Sequence, residues 1–374
     1  MREDHLTLNI QKKLSNRISL GNPVIVSIRK ILGKRKILRK SFNSWALLCA
    51  GMLLLAACGN DQDAGPVSLE QENASIATDQ QQEAAELLTI VDDTGEELVF
   101  TEQVERVACV VSFCIDMLAE LGMEPIAIAE GGVRTIATEP EFYGEKGLSF
   151  TSISGSFFEP NLEDIIAAKP ELVIGLKGVH DPLREGLSGI VPILLVNPVH
   201  YEQSIAWLQA VGQITGNKQE AMSATEQFLN KLEEAREMSP QSQRALVMYG
   251  SDVNFSIITD SGLGGSIMKE IADYPWQVND PSEDPYGEGS IPYSLEKLLE
   301  GDPDAIFVQS YSFGPAGIPL SEQLAELPLW SKLKAVHSDR VIEVRSPVWG
   351  DGRGTRSLGI MLDEAMAVLY PELN

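Results

Sequence analysis

The chain has 374 residues, 44% of them hydrophobic, and a formal net charge of −25. This length suits two domains of ordinary size, and the composition is that of a globular protein rather than a disordered one. Residues 1–57 hold eleven Lys and Arg but only two Asp and Glu, so the rest of the chain has a net charge of −34. A surface this acidic excludes nucleic acid and anionic lipid headgroups as general partners.

The N-terminal segment predicts a secretion signal over residues 1–57. A basic run from Arg29 to Lys40 precedes the apolar stretch WALLCAGMLLLAA, which is shorter than the ~20 residues a helix needs to span a membrane. The stretch ends in Leu-Ala-Ala-Cys58, which resembles the lipobox of bacterial lipoproteins and implies acylation and cleavage at Cys58. The alternative is a plain signal peptide with an incidental cysteine. Because the basic region is long, we expect translation to start downstream of Met1.

Residues 58–86 are rich in Gln, Asp, Glu, Ala and Ser and contain no aromatic residue. Such a segment cannot bury enough apolar surface to offset its ordering entropy, so we predict a flexible acidic tether. A short helix around residues 79–88 is the alternative interpretation.

Cysteine and histidine are scarce beyond the tether. Cys109 falls in a predicted strand and Cys114 enters a helix, which favours two buried small residues over a disulfide. His180, His200 and His337 show no pair at metal-ligand spacing, so no metal site is expected. The standard nucleophile, phosphate-binding and zinc-protease motifs are also absent from the sequence.

Strand and helix patterns divide the remaining chain into three parts. After a hairpin around Asp93-Thr94-Gly95, apolar strands alternate with helices through residues 87–200, which predicts an N-terminal lobe with a parallel sheet. Residues 201–239 have only helical periodicity and include the long segment 217–238, about 33 Å if helical. Alternation resumes in residues 240–374, the predicted C-terminal lobe, which ends in an amphipathic helix.

One pattern occurs in both lobes. NLEDIIAAKPELVIG, residues 161–175, and SLEKLLEGDPDAIFV, residues 294–308, share a Leu-Glu pair, two aliphatic residues, a proline and an apolar strand. The aliphatic residues and prolines build a helix-to-strand unit, whereas the glutamates, Glu163 and Glu296, have no role in a core. A local explanation is that a carboxylate in the first turn of a helix is stabilised by the helix dipole by ~0.3–1 kcal/mol.

The order of these features resembles the substrate-binding proteins of ABC importers for iron-siderophore, haem and cobalamin complexes. The resemblance is carried by RVACVV, DMLAELGMEPIAIA, EPNLEDIIAAKPELVIG, SGLGGSIM, YSLEKLLEGDPDAIFV and RVIEV, and it covers about residues 88–372. It implies two Rossmann-like α/β lobes joined by a long rigid helix, with the ligand in the cleft between them. It also implies a monomer without enzymatic activity or cofactor, which delivers its ligand to a membrane permease by docking through Glu163 and Glu296.

Ligands of open parallel sheets bind beyond the carboxyl ends of the strands. This rule predicts a set of ligand-binding residues at strand ends of both lobes: Ser112, Phe113, Phe157, Phe158, Lys177, His180, Tyr249, Tyr311, Trp349, Arg353 and Arg356. The segment 131–134, Ser251 and Phe313 fall at the same ends.

The chemistry of these side chains favours one ligand class. The aromatic residues would suit the organic faces of a chelate, and Arg353 and Arg356 would suit the oxygens of an anionic ferric complex; ion pairing with the many acidic residues is the alternative role of these arginines. His180 could be an axial haem ligand, although its place before Asp-Pro also fits a loop histidine without a metal role. Because a siderophore already fills the coordination of iron, the scarcity of histidine favours a ferric siderophore over haem, with cobalamin third.

Two other classes of function remain open. A lipid-anchored hydrolase would need a nucleophile with a positioned base, and no such motif flanks any histidine of the mature chain. A signalling or adhesion lipoprotein could use the same fold without transport. The expected location is the outer face of the cell membrane, through the lipid anchor, on a Gram-positive surface.

Overall fold

The computed structural model describes residues 26–29, 87–285, 287–311 and 317–373. Cys58, the tether 58–86, Phe313 and the signal segment apart from residues 26–29 lie outside the described residues. None of the helices in the described part of the chain has both the length and the apolar character needed to cross a bilayer.

A small antiparallel sheet stands at the start of the described structure. It consists of β1 (Val26–Arg29), β2 (Leu87–Val91) and β3 (Glu97–Phe100), in that order. The predicted hairpin between β2 and β3 is confirmed: the side-chain carboxylate of Asp92 accepts the backbone N–H groups of Thr94 at 2.9 Å and Glu96 at 3.1 Å. Gly95 has a φ of 88°, a left-handed conformation that glycine adopts without steric cost.

The N-terminal lobe is built on a five-stranded parallel sheet in the order β6-β5-β4-β7-β8. Its strands are β4 (Val107–Cys109), β5 (Ala127–Ala129), β6 (Thr151–Ile153), β7 (Leu172–Leu176) and β8 (Ile193–Val196). The helices between them are α1 (Ser112–Glu120), α2 (Gly132–Thr138), α3 (Leu162–Ala168) and α4 (Leu183–Leu187), with a 3₁₀ turn at Gly144–Ser149. β4, β5, β7 and β8 are buried along their whole length, as the continuous apolar runs predict for a sheet covered on both faces.

Two helices connect the lobes, α5 (Tyr201–Ile214) and α6 (Lys218–Met238). The 21 residues of α6 correspond to about 32 Å of helix, within one residue of the predicted bounds at each end. Ala221 and Ala224, in its first half, pack into the N-terminal core, whereas Phe228 and Leu232 pack into the C-terminal core. One continuous helix therefore contributes to both hydrophobic cores.

The C-terminal lobe has a mixed five-stranded sheet in the order β11-β10-β9-β12-β13. Its strands are β9 (Ala245–Gly250), β10 (Ser256–Ile258), β11 (Ser290–Pro292), β12 (Ala305–Ser310) and β13 (Val341–Glu343). β9, β12 and β13 are parallel, and β10 runs antiparallel to both of its neighbours. The helices are α7 (Leu263–Ile271), α8 (Leu295–Gly301), α9 (Leu320–Ala325), α10 (Lys334–His337) and α11 (Thr355–Leu369), with a π-helical turn at Pro347–Gly352 and 3₁₀ turns at Pro281–Glu283, Trp330–Lys332 and Pro371–Leu373.

The repeated stretches occupy equivalent positions in the two lobes. α3 precedes β7 and α8 precedes β12, and each of these strands lies beside the first strand of its own sheet, β4 or β9. The side chains of Asn161 and Ser294 cap the two helices, and left-handed residues, Lys169 and Asp302, end them. The two copies therefore form the same helix-to-strand unit at equivalent positions of the two lobes.

Cys109 and Cys114 form a disulfide, so the prediction of two free buried cysteines is wrong. Cys109 ends β4 and Cys114 lies in the first turn of α1, and the turn between them brings their Cα atoms to 5.4 Å, a separation that a disulfide can bridge. Both residues are fully buried, as predicted. Sequence spacing did not reveal the pairing because it depends on how tightly the chain turns from strand to helix.

Candidate functional site

A cavity of 410 Å³ lies between the two lobes. Its N-terminal wall comes from the residues that follow β4, β5 and β6, and its C-terminal wall from the segments after β12 and β13. The lining residues are Ser112, Gly132, Val133, Phe157, Phe158, Ser310, Tyr311, Ser346, Pro347 and Asp351. The cavity thus lies where the carboxyl ends of the parallel strands meet, as the rule for open α/β sheets predicts.

Two phenylalanines form the apolar part of the N-terminal wall. Phe157 and Phe158 are 42% and 61% exposed, and their rings meet edge to face with centroids 5.2 Å apart. Large apolar side chains seldom remain this exposed as adjacent residues without a partner that covers them. The predicted position of both residues at the cleft is the one observed.

His180 supports this wall from behind. It is only 1% exposed; its Nδ1 accepts the N–H of Leu176 at 2.9 Å, and its Nε2–H donates to the carbonyl oxygen of Phe157 at 2.7 Å. Burial lowers the pKa of the imidazole below its ordinary value. The prediction of His180 as a ligand-binding residue is therefore wrong: both ring nitrogens already have partners, and the residue orients the Phe157 segment instead.

The C-terminal wall is polar. Tyr311 follows β12, and its hydroxyl lies 3.4 Å from Oδ1 of Asp351 and 3.5 Å from Oε1 of Gln309. Burial raises the pKa of Tyr311 well above its ordinary value, so the phenol keeps its proton. Burial also raises the pKa of the Asp351 carboxyl to about 6, against the opposing effect of Arg353. This wall therefore presents a phenol and a carboxyl group that takes up a proton more readily than an exposed aspartate does.

A smaller cavity of 200 Å³ adjoins the first across Tyr311. Besides Tyr311, three predicted site residues line it, Tyr249, Trp349 and Arg353. The Tyr249 hydroxyl lies 2.9 Å from the Ser290 hydroxyl. Trp349 is largely buried, since its ring stacks on Phe307 at 5.0 Å. Only part of the aromatic protein surface that was predicted to contact the ligand is therefore accessible in this cavity.

Arg353 and Arg356 have separate roles in the structure. The guanidinium of Arg353 donates to Asn197 of the N-terminal lobe while lining the smaller cavity. That of Arg356 donates to the carbonyl oxygen of Glu141 at 2.6 Å and forms an ion pair with Glu120 at 3.3 Å. Arg356 lies beside α1 and α6 rather than in the lining of either cleft cavity. The prediction of a paired arginine site is wrong, because each guanidinium bonds a different part of the opposite lobe.

Phe113 and Lys177 also lie outside the lining of these two cavities. Phe113 is fully buried in the N-terminal core, whereas the neighbouring Ser112 lines the larger cavity. The predicted ligand role of Phe113 is therefore wrong. Lys177 is exposed after β7, and its charge lowers the pKa of Asp93, although burial is the larger effect and raises it.

Charged groups join the lobes next to the cleft. Arg345 forms ion pairs with Glu139 at 2.7 Å and Glu141 at 3.1 Å in the N-terminal lobe, and with Glu364 at 2.5 Å in its own lobe. Asp116 of α1 accepts the backbone N–H groups of Arg356 at 3.2 Å and Ser357 at 2.8 Å at the start of α11. These contacts bridge the two lobes beside the cleft.

Sequence reasoning missed Asp351, Ser310, Ser346 and Pro347. Asp351 lies between two predicted residues in the segment WGDGRG, so its position after the aromatic residue was a usable signal. The π-helical turn was not foreseeable from residue types, and it places Trp349 at the smaller cavity but Asp351 at the larger one. Among the residues the structure describes, no group of three or more His, Cys, Asp or Glu side chains is arranged to hold a metal ion.

Comparison with known proteins agrees with this architecture. A putative ABC transporter substrate-binding lipoprotein of Bacillus subtilis (strain 168) is 23% identical over 283 residues, which cover 74% of this chain and 87% of the relative. The Fe(3+)-citrate-binding protein of the same strain is 23% identical over 331 residues, 87% of this chain and 96% of the relative. The crystal structure of Staphylococcus aureus SirA complexed with staphyloferrin B has a TM-score of 0.61 at 21% identity and covers 75% of this chain and 98% of that one.

The family model described as periplasmic binding protein matches residues 107–348. That range runs from β4 to the π-helical turn and includes both sheets and the connecting helices. This range contains the two lobes, the helix they share and the interlobe cavity. The chain belongs to the periplasmic binding protein family.

Proposed function

We propose that this chain is a lipid-anchored extracytoplasmic protein that captures a ferric siderophore and delivers it to an ABC permease. The observation that carries the proposal is the interlobe cavity, with two exposed phenylalanines on one wall and hydroxyl groups on the other. Concave sites with an apolar surface and a few convergent polar groups are typical of small-molecule binding. Two relatives support the same class of function. One is named as a putative ABC transporter substrate-binding lipoprotein and the other as an Fe(3+)-citrate-binding protein.

The proposed site uses organic contacts rather than protein ligands to iron. The siderophore supplies the metal's coordination, while Phe157, Phe158 and Tyr311 contact its organic surface and Ser112 hydrogen-bonds its polar edge. The iron is thus cargo. A haem ligand is less compatible with the cleft because both nitrogens of His180, the histidine predicted for that role, are occupied.

The proposed anchor is a lipid on Cys58, followed by the acidic tether 58–86. Several acyl chains on one cysteine hold a protein durably on a membrane. The lipobox-like sequence before Cys58 supports this anchor, as does the similarity to a relative described as a lipoprotein. The tether would let the binding lobes reach the permease from the outer face of the membrane.

The proposed docking groups are Glu163 and Glu296. Both are exposed, and each is the second residue of its helix, α3 or α8. Because the two helices are equivalent elements of the two lobes, their carboxylates form a matched pair that suits a permease with two similar halves. Charge pairing of this kind sets orientation and association rate more than raw affinity.

Titration of intrinsic tryptophan fluorescence tests the ligand class. Ferric siderophores, haem and cyanocobalamin are added separately to the protein, and Trp349, which lines the smaller cavity, supplies a local signal. We expect saturable quenching by at least one ferric siderophore at equimolar stoichiometry. Saturation by haem or cyanocobalamin alone would replace the siderophore with that ligand, and no binding to any of them would contradict a transport role.

A further inference from the structure

We propose that the chelate bound by this chain carries no net negative charge, and that Asp351 receives a hydrogen-bond donor or cationic group of that chelate. This inference rests on the proposed function and adds a substrate class to it. It differs from the expectation that arginines in the cleft would hold an anionic ferric complex.

The charge of the interlobe cavity is the first argument. Of its described lining residues none is a lysine or arginine, and Asp351 is the one acidic residue. Residues 312–316, which the structure does not describe, read Ser-Phe-Gly-Pro-Ala and so contain no charged side chain. A polyanionic complex would enter this cavity without a cation to offset its loss of hydration.

The second argument is that the arginines near the cleft already have partners. Arg345 bonds three glutamates that belong to both lobes, and Arg356 bonds Glu120 and backbone carbonyl groups. Arg134 bonds Glu130 and two carbonyl oxygens. Rotation of any of them toward a ligand would leave partly buried carboxylates or carbonyl groups unpaired, which is costly.

Arg353 does not give the lining of the two cavities an excess of positive groups. It lines the smaller cavity, where it donates to Asn197, and the amide of Asn197 in turn donates to Glu288 at 3.1 Å. Glu288 lines the same cavity. Across both cavities, the described lining therefore offers one guanidinium against two carboxylates, those of Glu288 and Asp351.

The side chain of Asp351 lines the cavity and can accept further hydrogen bonds from a ligand. Its Oδ1 lies 3.4 Å from the Tyr311 hydroxyl, and a carboxylate can accept several more hydrogen bonds. Amide N–H groups or an ammonium group of a ligand would fill this capacity, while the exposed rings of Phe157 and Phe158 would cover its alkyl segments. The strongly acidic chain outside the cavity adds attraction for cations and repulsion for anions.

Isothermal titration calorimetry with ferric complexes of different charge tests the inference. The probes are a ferric trihydroxamate with a pendant ammonium group, a neutral ferric trihydroxamate, ferric citrate and a ferric tris-catecholate trianion. We expect both trihydroxamates to bind at least about tenfold more tightly than either anionic complex. We expect Asp351→Asn to weaken the cationic complex by about tenfold or more and to change the affinity of the neutral complex much less.

Asp363→Asn is the matched control, because it makes the same change on an exposed residue of α11 that pairs with Lys231. It should alter no affinity, which separates a local effect of Asp351 from the total charge of the protein. Tighter binding of ferric citrate or the tris-catecholate would overturn the inference while leaving the proposed function intact. Equal losses for cationic and neutral complexes in Asp351→Asn would overturn the role of Asp351, and no binding of any ferric complex would overturn both proposals.

Discussion

His180 joins two segments of the N-terminal lobe through its two ring nitrogens. One bond reaches the backbone N–H of Leu176 at the end of β7, and the other reaches the carbonyl oxygen of Phe157, which lies 23 residues earlier in the chain. Loss of the ring would leave a buried N–H and a carbonyl group without partners. The position of the exposed Phe157 ring in the cleft thus depends on a buried residue that lines neither cavity.

We expect His180→Ala to lower the free energy of unfolding by about 1–3 kcal/mol, the usual cost of unpaired buried polar groups. The pKa of His180 in the native protein lies below 6.5, its value in the unfolded chain. As the pH falls below 6.5, the imidazole is therefore protonated in the unfolded chain before it is protonated in the native protein, and the native state loses stability. The stability difference between wild type and variant should therefore be larger at about pH 8 than at about pH 5.5.

Urea denaturation at the two pH values measures this difference. His337→Ala is the control, because His337 is exposed and its substitution removes a histidine without disturbing the cleft. An unchanged stability of His180→Ala, or a difference that grows at low pH, would show that His180 does not act as a neutral hydrogen-bonding link.

At the residue scale the sequence indicated aromatic positions better than charged ones. Phe157, Phe158 and Tyr311 lie at the cleft as predicted, since each follows a strand whose end could be read from its apolar run. Arg356 and His180 do not, because their partners come from segments far away in the chain. The position of a polar side chain depends on its hydrogen-bond and ion-pair partners. A single sequence does not reveal which distant residues those partners are.

At the scale of elements, α3 and α8 show how one sequence pattern produces one local structure. Each begins with a polar cap, presents an exposed glutamate, buries an aliphatic residue such as Ile165 or Leu298, and ends in a left-handed residue before a proline. The helices and their following strands were predictable for this reason. The short strands β10 and β11 were not, because their sequences, SII and SIP, lack the continuous apolar run that marks β4 and β5.

We expect the double substitution Glu163→Ala with Glu296→Ala to abolish import of the ferric complex while its dissociation constant stays within a factor of about two. The reason is that both carboxylates lie on the outside of the lobes, where they can contact a partner but not the cavity. Uptake of radioactive iron by cells and calorimetry with the purified protein measure the two effects.

Glu185→Ala with Glu322→Ala is the matched control, since both residues are exposed glutamates in the first turns of helices, one in each lobe. This control should import at the wild-type rate. Undiminished import by the Glu163 and Glu296 double variant would exclude these carboxylates as the docking groups.

At the scale of the whole molecule, the long helix α6 and the charged contacts around Arg345 and Asp116 hold the two lobes together. α6 contributes to both cores, and Asp116 of one lobe caps the first helix turn of α11 in the other. Burial raises the pKa of Asp116 to about 7. The two lobes are therefore linked both through a shared helix and through polar contacts beside the cleft.

The two-lobed architecture was predictable because the strand and helix alternation stops at residues 201–239 and then resumes. The disulfide and the π-helical turn were not, since both depend on backbone geometry at the end of one strand. The same limit applies to the charge of the cleft, because two arginines that are neighbours in sequence bond to different regions of the opposite lobe.

Filling the interlobe cavity tests the central claim most directly. A Cβ atom at Gly132 would lie 3.2 Å from Oδ2 of Asp351, so Gly132→Trp places an indole where the ligand is proposed to bind. In iron-limited cells that depend on this chain, we predict that uptake of a radioactive ferric trihydroxamate falls to the level of a deletion strain, although the folded variant is present at the membrane. Uptake by Gly132→Trp at the wild-type rate would contradict the claim that the chain carries its ferric ligand in this cleft.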